Sequence, residues 1–127
     1  GDSGFRRNQV TNLGFADYIC NLMGGLGDSK QITHMAIGTG TVPGAAATSL
    51  DGETGARVTT DNSVISSKTL QATCQFAGSD MGSTCTIQNV GLFNTSAAGT
   101  LCAGITYATS QWASNQNVNA TYQLRFS

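Results

Sequence analysis

The spacing of apolar residues divides the chain into one helical segment followed by a series of strands. In residues 13–23 the apolar side chains recur three and four positions apart, which predicts an amphipathic helix. The members of this stripe are Leu13, Ala16, Ile19, Cys20 and Met23. Two glycines follow and favour termination of the helix. We therefore predict one N-terminal α-helix over about residues 12–24, preceded by an extended arm over residues 1–9.

From residue 32 onward the apolar period changes to that of β-strands. Residues 32–38 form a short, nearly continuous apolar run, which predicts a strand buried on both faces. Further strands are predicted over residues 56–60, 68–76, 84–93, 100–107 and 117–127. The apolar pattern shifts near Asn89, which predicts a β-bulge. The chain is thus predicted to be mainly β, with residues 10–127 forming a single antiparallel β-sandwich domain of jelly-roll type.

A Gly/Thr/Ala-rich loop is predicted over residues 39–50, directly after the first long strand. Its opening, at residues 38–40, resembles a nucleotide-binding loop. However, neither a Lys-Ser/Thr pair nor the start of a helix follows, so the amides needed to hold a phosphate are not supplied. We interpret the loop, with Thr39, Thr41 and Pro43, as a contact surface for a neighbouring subunit.

Composition narrows the choice of partners. Charged residues make up 10% of the chain, compared with about 25% in typical soluble domains. The formal net charge is −1, so there is no basic field that would attract nucleic acid. No apolar run reaches the ~18 residues of a membrane span, so no membrane partner is expected. A charge-poor surface suits a protein that is packed in a large assembly, and an ordinary low-charge β-domain is the alternative.

The cysteines are Cys20, Cys74, Cys85 and Cys102. None forms a C-x-x-C pair, so no zinc site is predicted. Cys74 and Cys85 are predicted to flank one hairpin, about one position out of register for a disulfide. We predict four buried free thiols, in agreement with assembly in a reducing cytoplasm, and a Cys74–Cys85 bridge is the alternative.

The side chains that could support catalysis favour structural roles. His34 is the only histidine, and within a buried strand it is predicted to be a hydrogen-bonded core or interface residue. Asp51 and Glu53 would need a cleft that separates their pKa values to act as a hydrolytic pair. Glu53 and Arg57 are better interpreted as a structural ion pair or an inter-subunit contact. We predict no catalytic residue, no metal and no cofactor, and therefore no enzyme.

Trp112 is predicted to lie in a polar loop over residues 109–116, either exposed as an anchor for a sugar or a protein partner, or folded back onto the domain. The predicted N-terminal arm contributes two arginines. The candidate inter-subunit contacts are Arg6, Arg7, Thr39, Thr41, Pro43, Glu53, Arg57 and Trp112.

Several short motifs occur in a fixed order along residues 8–107. They are NQVTNLGFA at residues 8–16, THMAIGTG at 33–40, TSLDGE at 48–53 followed by Arg57, IQNVGLFN at 87–94 and GTLCA at 99–103. In this order they resemble a class of small virion structural proteins of tailed phages and prophages, and the opening is similar to the N-terminal domains of tail-fibre and tail-collar proteins.

The resemblance implies a non-enzymatic building block of the virion, assembled in the host cytoplasm. The expected role is a capsid decoration (cement) protein that bridges subunits, forms a homo-oligomer such as a trimer, and binds the major capsid protein. The N-terminal arm would add a strand to a neighbour. The alternatives are a tail, tail-fibre or head–tail connector component and, from another class, a carbohydrate-binding β-sandwich adhesin that uses Trp112.

Overall fold

A computed structural model describes the protein over residues 9–27, 30–66, 68–78, 85–112 and 117–125; for Cys85 and residues 107–112 it describes the backbone alone. The strands are β1 (Gln9–Val10), β2 (His34–Gly38), β3 (Glu53–Thr59), β4 (Asp61–Ser66), β5 (Thr69–Phe76), β6 (Cys85–Phe93), β7 (Ala103–Trp112) and β8 (Val118–Arg125). The helix α1 consists of a π-helical segment, Gly14–Cys20, and a closing α-helical turn, Asn21–Met23.

The strands form two antiparallel sheets. The first has five strands in the order β1-β7-β6-β2-β3, and the second has three in the order β4-β5-β8. Only Thr60 separates β3 from β4, so the chain passes from the edge of one sheet to the edge of the other at a single residue. The prediction of a mainly β chain with antiparallel strands is confirmed.

Side chains from both sheets build the main hydrophobic core. Its most deeply buried members are Met35 and Ile37 from β2, Ala72 and Phe76 from β5, Ile87 and Leu92 from β6, and Ala103 from β7. A second cluster contains Ala36, Leu50, Phe93 and Leu101. Because successive residues of a strand point to opposite faces, β2 contributes to both clusters. The prediction that this strand is buried on both faces is confirmed.

β5 and β8 confirm the predicted alternation. Leu70, Ala72, Cys74 and Phe76 of β5 all belong to the main core or pack against it, as do the apolar residues of β8. However, β5 pairs with β4 and β8, whereas β6 pairs with β2 and β7. The prediction that Cys74 and Cys85 flank one hairpin is therefore wrong, because their strands belong to different sheets.

The predicted bulge is present in β6, whereas β7 ends later than predicted. The pairing of β6 with β7 shifts register between Ile87 and Asn89, so the predicted bulge near Asn89 is confirmed. Trp112 is the last residue of β7 and pairs with Cys85. It thus belongs to a strand and not to the predicted polar loop, because β7 continues beyond the last clear alternation of apolar residues.

The helix follows β1 and is therefore the second element of the chain. Of the predicted arm, residues 1–8 lie outside the described residues, and Gln9 belongs to β1. The predicted apolar stripe is not the buried side of the helix, because Ala16, Cys20 and Met23 are exposed. The buried residues are instead Gly14 and Tyr18.

Candidate functional site

The most unusual surface of the protein is one side of α1. Phe15, Leu22, Met23 and Leu26 are between 51% and 83% exposed, and Ile19 between them is partly exposed. Phe15, Ile19, Leu22 and Met23 belong to the helix, and Leu26 lies three residues beyond its end. We call these five residues the α1 apolar face. Several large apolar side chains exposed within one short segment are characteristic of an interaction site.

The buried residues of α1 explain why this face points outward. Gly14 and Tyr18 are buried, and the Tyr18 hydroxyl donates a hydrogen bond to the carbonyl of Thr100. Desolvation by burial raises the pKa of Tyr18 above its usual range. At the start of the helix, the Thr11 hydroxyl donates to the Leu101 carbonyl at 2.7 Å and accepts the Gly14 N–H at 2.9 Å. These contacts determine the rotation of α1 and leave its apolar side in solvent.

Asn89 holds the two ends of the loop between β2 and β3 together. Its side chain is fully buried, and Nδ2 donates to the carbonyls of Thr41 and Asp51, each at 2.9 Å. The Asp51 carboxylate accepts the Thr41 N–H at 3.3 Å, and the Asp51 carbonyl accepts the Gly40 N–H at 3.1 Å. The backbone N–H groups at the start of the loop thus donate their hydrogen bonds to oxygens of the same chain.

The three candidate contact residues of this loop differ in exposure. Thr39 and Thr41 are exposed, whereas Pro43 is buried. The ring of Pro43 lies so close to Gly104 of β7 that a Cβ there would collide with it. Pro43 therefore anchors the loop to its own chain and offers no exposed surface to a neighbour. This correction could not be made from the sequence, because the strand that covers Pro43 is about 60 residues away along the chain.

Arg57 and Glu53 form an ion pair within the chain. Arg57 Nε and Nη2 donate to the two carboxylate oxygens of Glu53 at 2.7 and 3.0 Å. Nη1 donates to the carbonyls of Ala98 and Thr95 at 2.6 and 3.2 Å, and the guanidinium lies 3.5 Å from the ring centroid of Phe93. The structural ion pair is confirmed, and an inter-subunit role for these residues stays a prediction.

The remaining groups with catalytic potential also have internal partners. The ring nitrogens of His34 lie 2.8 Å from the Thr33 hydroxyl and 3.4 Å from the Thr59 hydroxyl, so the predicted hydrogen bonding is confirmed. The side chain is only partly buried, and its role at an interface stays a prediction. Asp51 and Glu53 belong to separate networks, as described above. Over the described part of the chain, no three His, Cys, Asp or Glu side chains come together in an arrangement suited to a metal ion.

Cys20, Cys74 and Cys102 are free thiols in very different surroundings. Cys20 is exposed on α1, Cys74 is partly buried with its sulfur 3.6 Å from Met35 Sδ, and Cys102 is buried. The prediction of four buried thiols is thus confirmed for Cys102, holds only in part for Cys74, and is wrong for Cys20, because α1 turns that residue outward. The side chain of Cys85 lies outside what the structure describes. Burial raises the pKa of Cys74 to about 11 and the pKa of Cys102 to about 12.

A second exposed surface, β4, was not predicted from the sequence. All six residues of Asp61–Ser66 are exposed, including Val64 at 71% and Ile65 at 50%. The only sequence signal is the adjacent pair of β-branched residues between serines, which is too short to predict a strand. The side chain of Trp112 and the predicted contacts Arg6 and Arg7 lie outside what the structure describes.

Comparisons with protein-family models, with curated proteins and with solved structures gave no match to this chain. In the described part of the chain, no helix is both long and apolar enough to cross a membrane.

Proposed function

We propose that this chain is a non-enzymatic structural protein of a tailed-phage virion, most consistent with a capsid decoration protein that bridges subunits of the shell. In this proposal the two sheets pack face to face as a β-sandwich, and the protein works by docking. The ordered motifs over residues 8–107 support the virion class. The observation that carries the docking role is the α1 apolar face.

The α1 apolar face supports docking because of the number and exposure of its large apolar side chains. Monomeric proteins rarely expose large apolar patches, and here four large apolar side chains within residues 15–26 are at least half exposed. In water this surface is unfavourable, and its burial against an apolar surface of the shell would be favourable. A docked subunit also tolerates the low charge of the chain, which gives a free protein little protection from self-association.

The polar side chains with catalytic potential form hydrogen bonds within the chain, which supports a structural role over a catalytic one. Asp51 closes the loop after β2, Glu53 is held by Arg57, and His34 lies between two hydroxyls. A general acid or base has to reach a substrate and exchange a proton with it. These three side chains instead stabilise the loops and strands that surround them.

The decisive experiment is the copy number of the protein in purified particles, measured by quantitative mass spectrometry against the major capsid protein. Hundreds of copies support capsid decoration. About six or twelve copies, as ring-shaped assemblies require, would instead place the protein in the tail or the connector. Absence from particles would overturn the proposal.

A paired variant tests the docking surface itself. Leu22 and Met23 are 56% and 83% exposed, so completing their burial in an interface would contribute about 2–4 kcal/mol. The double variant Leu22→Gln/Met23→Gln should therefore lower the affinity for particles by more than about thirtyfold while the fold is kept. Gln88→Ala, at an exposed position of β6 outside the candidate contact residues, is the control. Equal occupancy of both variants on particles would contradict docking through α1.

A further inference from the structure

β4 has the properties of a strand that pairs with another chain. It forms the edge of the three-stranded sheet and pairs on one side, with β5. All six of its residues are exposed, although the Asn62 side chain donates a hydrogen bond to the Ile32 carbonyl at 2.7 Å. The backbone groups along its outer edge are therefore open to a further strand, as at any unprotected sheet edge.

The devices that usually protect an edge strand are largely missing from β4. Proteins block such edges with lysine, proline, bulges or inward-pointing charges. The sequence Asp-Asn-Ser-Val-Ile-Ser contains neither lysine nor proline, and its one charge lies at the first residue. One such device is present, a register irregularity between Val64 and Ser66. Val64 and Ile65 add apolar side chains that a second strand would cover.

The charges at the two ends of β4 indicate which strand fits. Asp61 begins β4 and Lys68 lies two residues beyond its end, and both are exposed. Within the described residues, neither side chain has an ion-pair partner. If a second copy of β4 runs antiparallel to the first, each Asp61 comes close to the Lys68 of the other copy. A parallel arrangement would bring like charges together, which is unfavourable.

We propose that two copies of this chain pair through β4, antiparallel and edge to edge, and thereby join their three-stranded sheets into one continuous six-stranded sheet. The pair is symmetric about a two-fold axis, so both copies use the same residues. The contact area of one strand pair is below the about 800 Å² per partner of a standard interface, and the dimer is therefore weak and depends on concentration. This inference applies to the free protein and does not depend on the proposed virion role.

Sedimentation velocity over about 5 µM to 1 mM tests the proposal, since weak interfaces dissociate in this range. The wild-type protein should shift from monomer to dimer, and the amides of residues 62–65 should exchange hydrogen more slowly as the dimer forms. Val64→Lys should abolish the dimer while the circular dichroism spectrum is kept. Met23→Lys, which adds the same charge at an exposed apolar residue of α1, should leave the dimer intact.

A charge exchange tests the antiparallel orientation. Lys68→Asp alone should weaken dimerisation by about three- to tenfold at low salt, since two symmetric ion pairs become repulsive. Combination with Asp61→Lys should restore the wild-type dissociation constant. A protein that stays monomeric at 1 mM, a trimer, or a dimer indifferent to both Val64→Lys and the charge exchange would each overturn the proposal. The hydrogen-exchange measurement on the wild-type chain keeps the test valid if a variant fails to fold.

Discussion

Substitution of Arg57 tests whether its polar contacts stabilise the folded subunit or an interface between subunits. Its guanidinium forms two hydrogen bonds to Glu53, donates to the carbonyls of Ala98 and Thr95, and stacks on Phe93. All of these partners belong to the same chain. We therefore expect Arg57→Ala to reduce the stability of the isolated subunit, and not only its association with partners.

The expected loss of stability can be estimated from the exposure of the Arg57–Glu53 ion pair. The side chains of Arg57 and Glu53 are 9% and 25% exposed, so the pair lies between an exposed and a buried ion pair. At this exposure the bidentate pair contributes about 1–2 kcal/mol, the bonds to carbonyls about 0.5 kcal/mol each, and the stacking on Phe93 about 0.5–1 kcal/mol. Arg57→Ala should thus lower the free energy of unfolding by about 2–4 kcal/mol.

Urea denaturation at low micromolar concentration, followed by circular dichroism, measures this change. The m-value should stay constant, since the same surface is exposed on unfolding. Arg57→Lys keeps the charge but loses the planar fork, and should lose about half as much stability. Gln88→Ala, at an exposed position of β6, is the control and should change stability by less than about 0.5 kcal/mol.

Two outcomes would refute this reasoning. A loss of less than about 0.5 kcal/mol for Arg57→Ala would mean that the ion pair behaves as an ordinary surface pair. A loss that appears only at concentrations where the protein associates would instead assign Arg57 to an interface between subunits. The second outcome would support the prediction made from the sequence that Glu53 and Arg57 contact a neighbour.

Three further predictions follow from the buried contacts. Asn89→Ala leaves two carbonyls without their donor and should cost about 1–3 kcal/mol, measured by urea denaturation; unchanged hydrogen exchange in the loop after β2 would contradict its anchoring role. Gly14→Ala should lower the melting temperature by several degrees although Ala favours helices, because its Cβ would collide with the carbonyl of Cys102. Gly44→Ala, which has open space around it, is the neutral control, and equal melting temperatures would refute the argument. Burial raises the pKa of Cys102 from 9.0 to about 12 and that of Cys74 to about 11. The stability that these two protonated thiols contribute should therefore be fully present well below pH 9 and fall as the pH rises from 9 toward 11, because the unfolded chain loses these protons before the folded chain does. Cys102→Ala should flatten the decline between pH 9 and 10, before the tyrosines contribute, and an unchanged slope would contradict this assignment.

The sequence alone determined where most of the long strands lie and which side of β5 and β8 faces inward. In β8 the alternation of apolar and polar residues assigned Tyr122 and Leu124 to the interior, and both are buried. The nearly continuous apolar run of β2 likewise predicted burial on both faces. Both predictions rest on the two-residue period of a strand. This period is a local property of the backbone, so the order of apolar and polar residues reveals it directly.

Which strands pair and which side of the helix is covered depend on contacts between distant parts of the chain. No local pattern places β5 and β6 in different sheets, because strand pairing depends on residues far apart in the chain. Several sides of α1 also carry apolar residues, so the periodicity of the sequence could not predict which side is buried. The choice came from Tyr18, whose hydroxyl reaches Thr100, and from Gly14, whose missing side chain lets the helix approach the backbone of Cys102. The α1 apolar face and the open edge of β4, on which the two proposals depend, are the surfaces left exposed by these distant contacts.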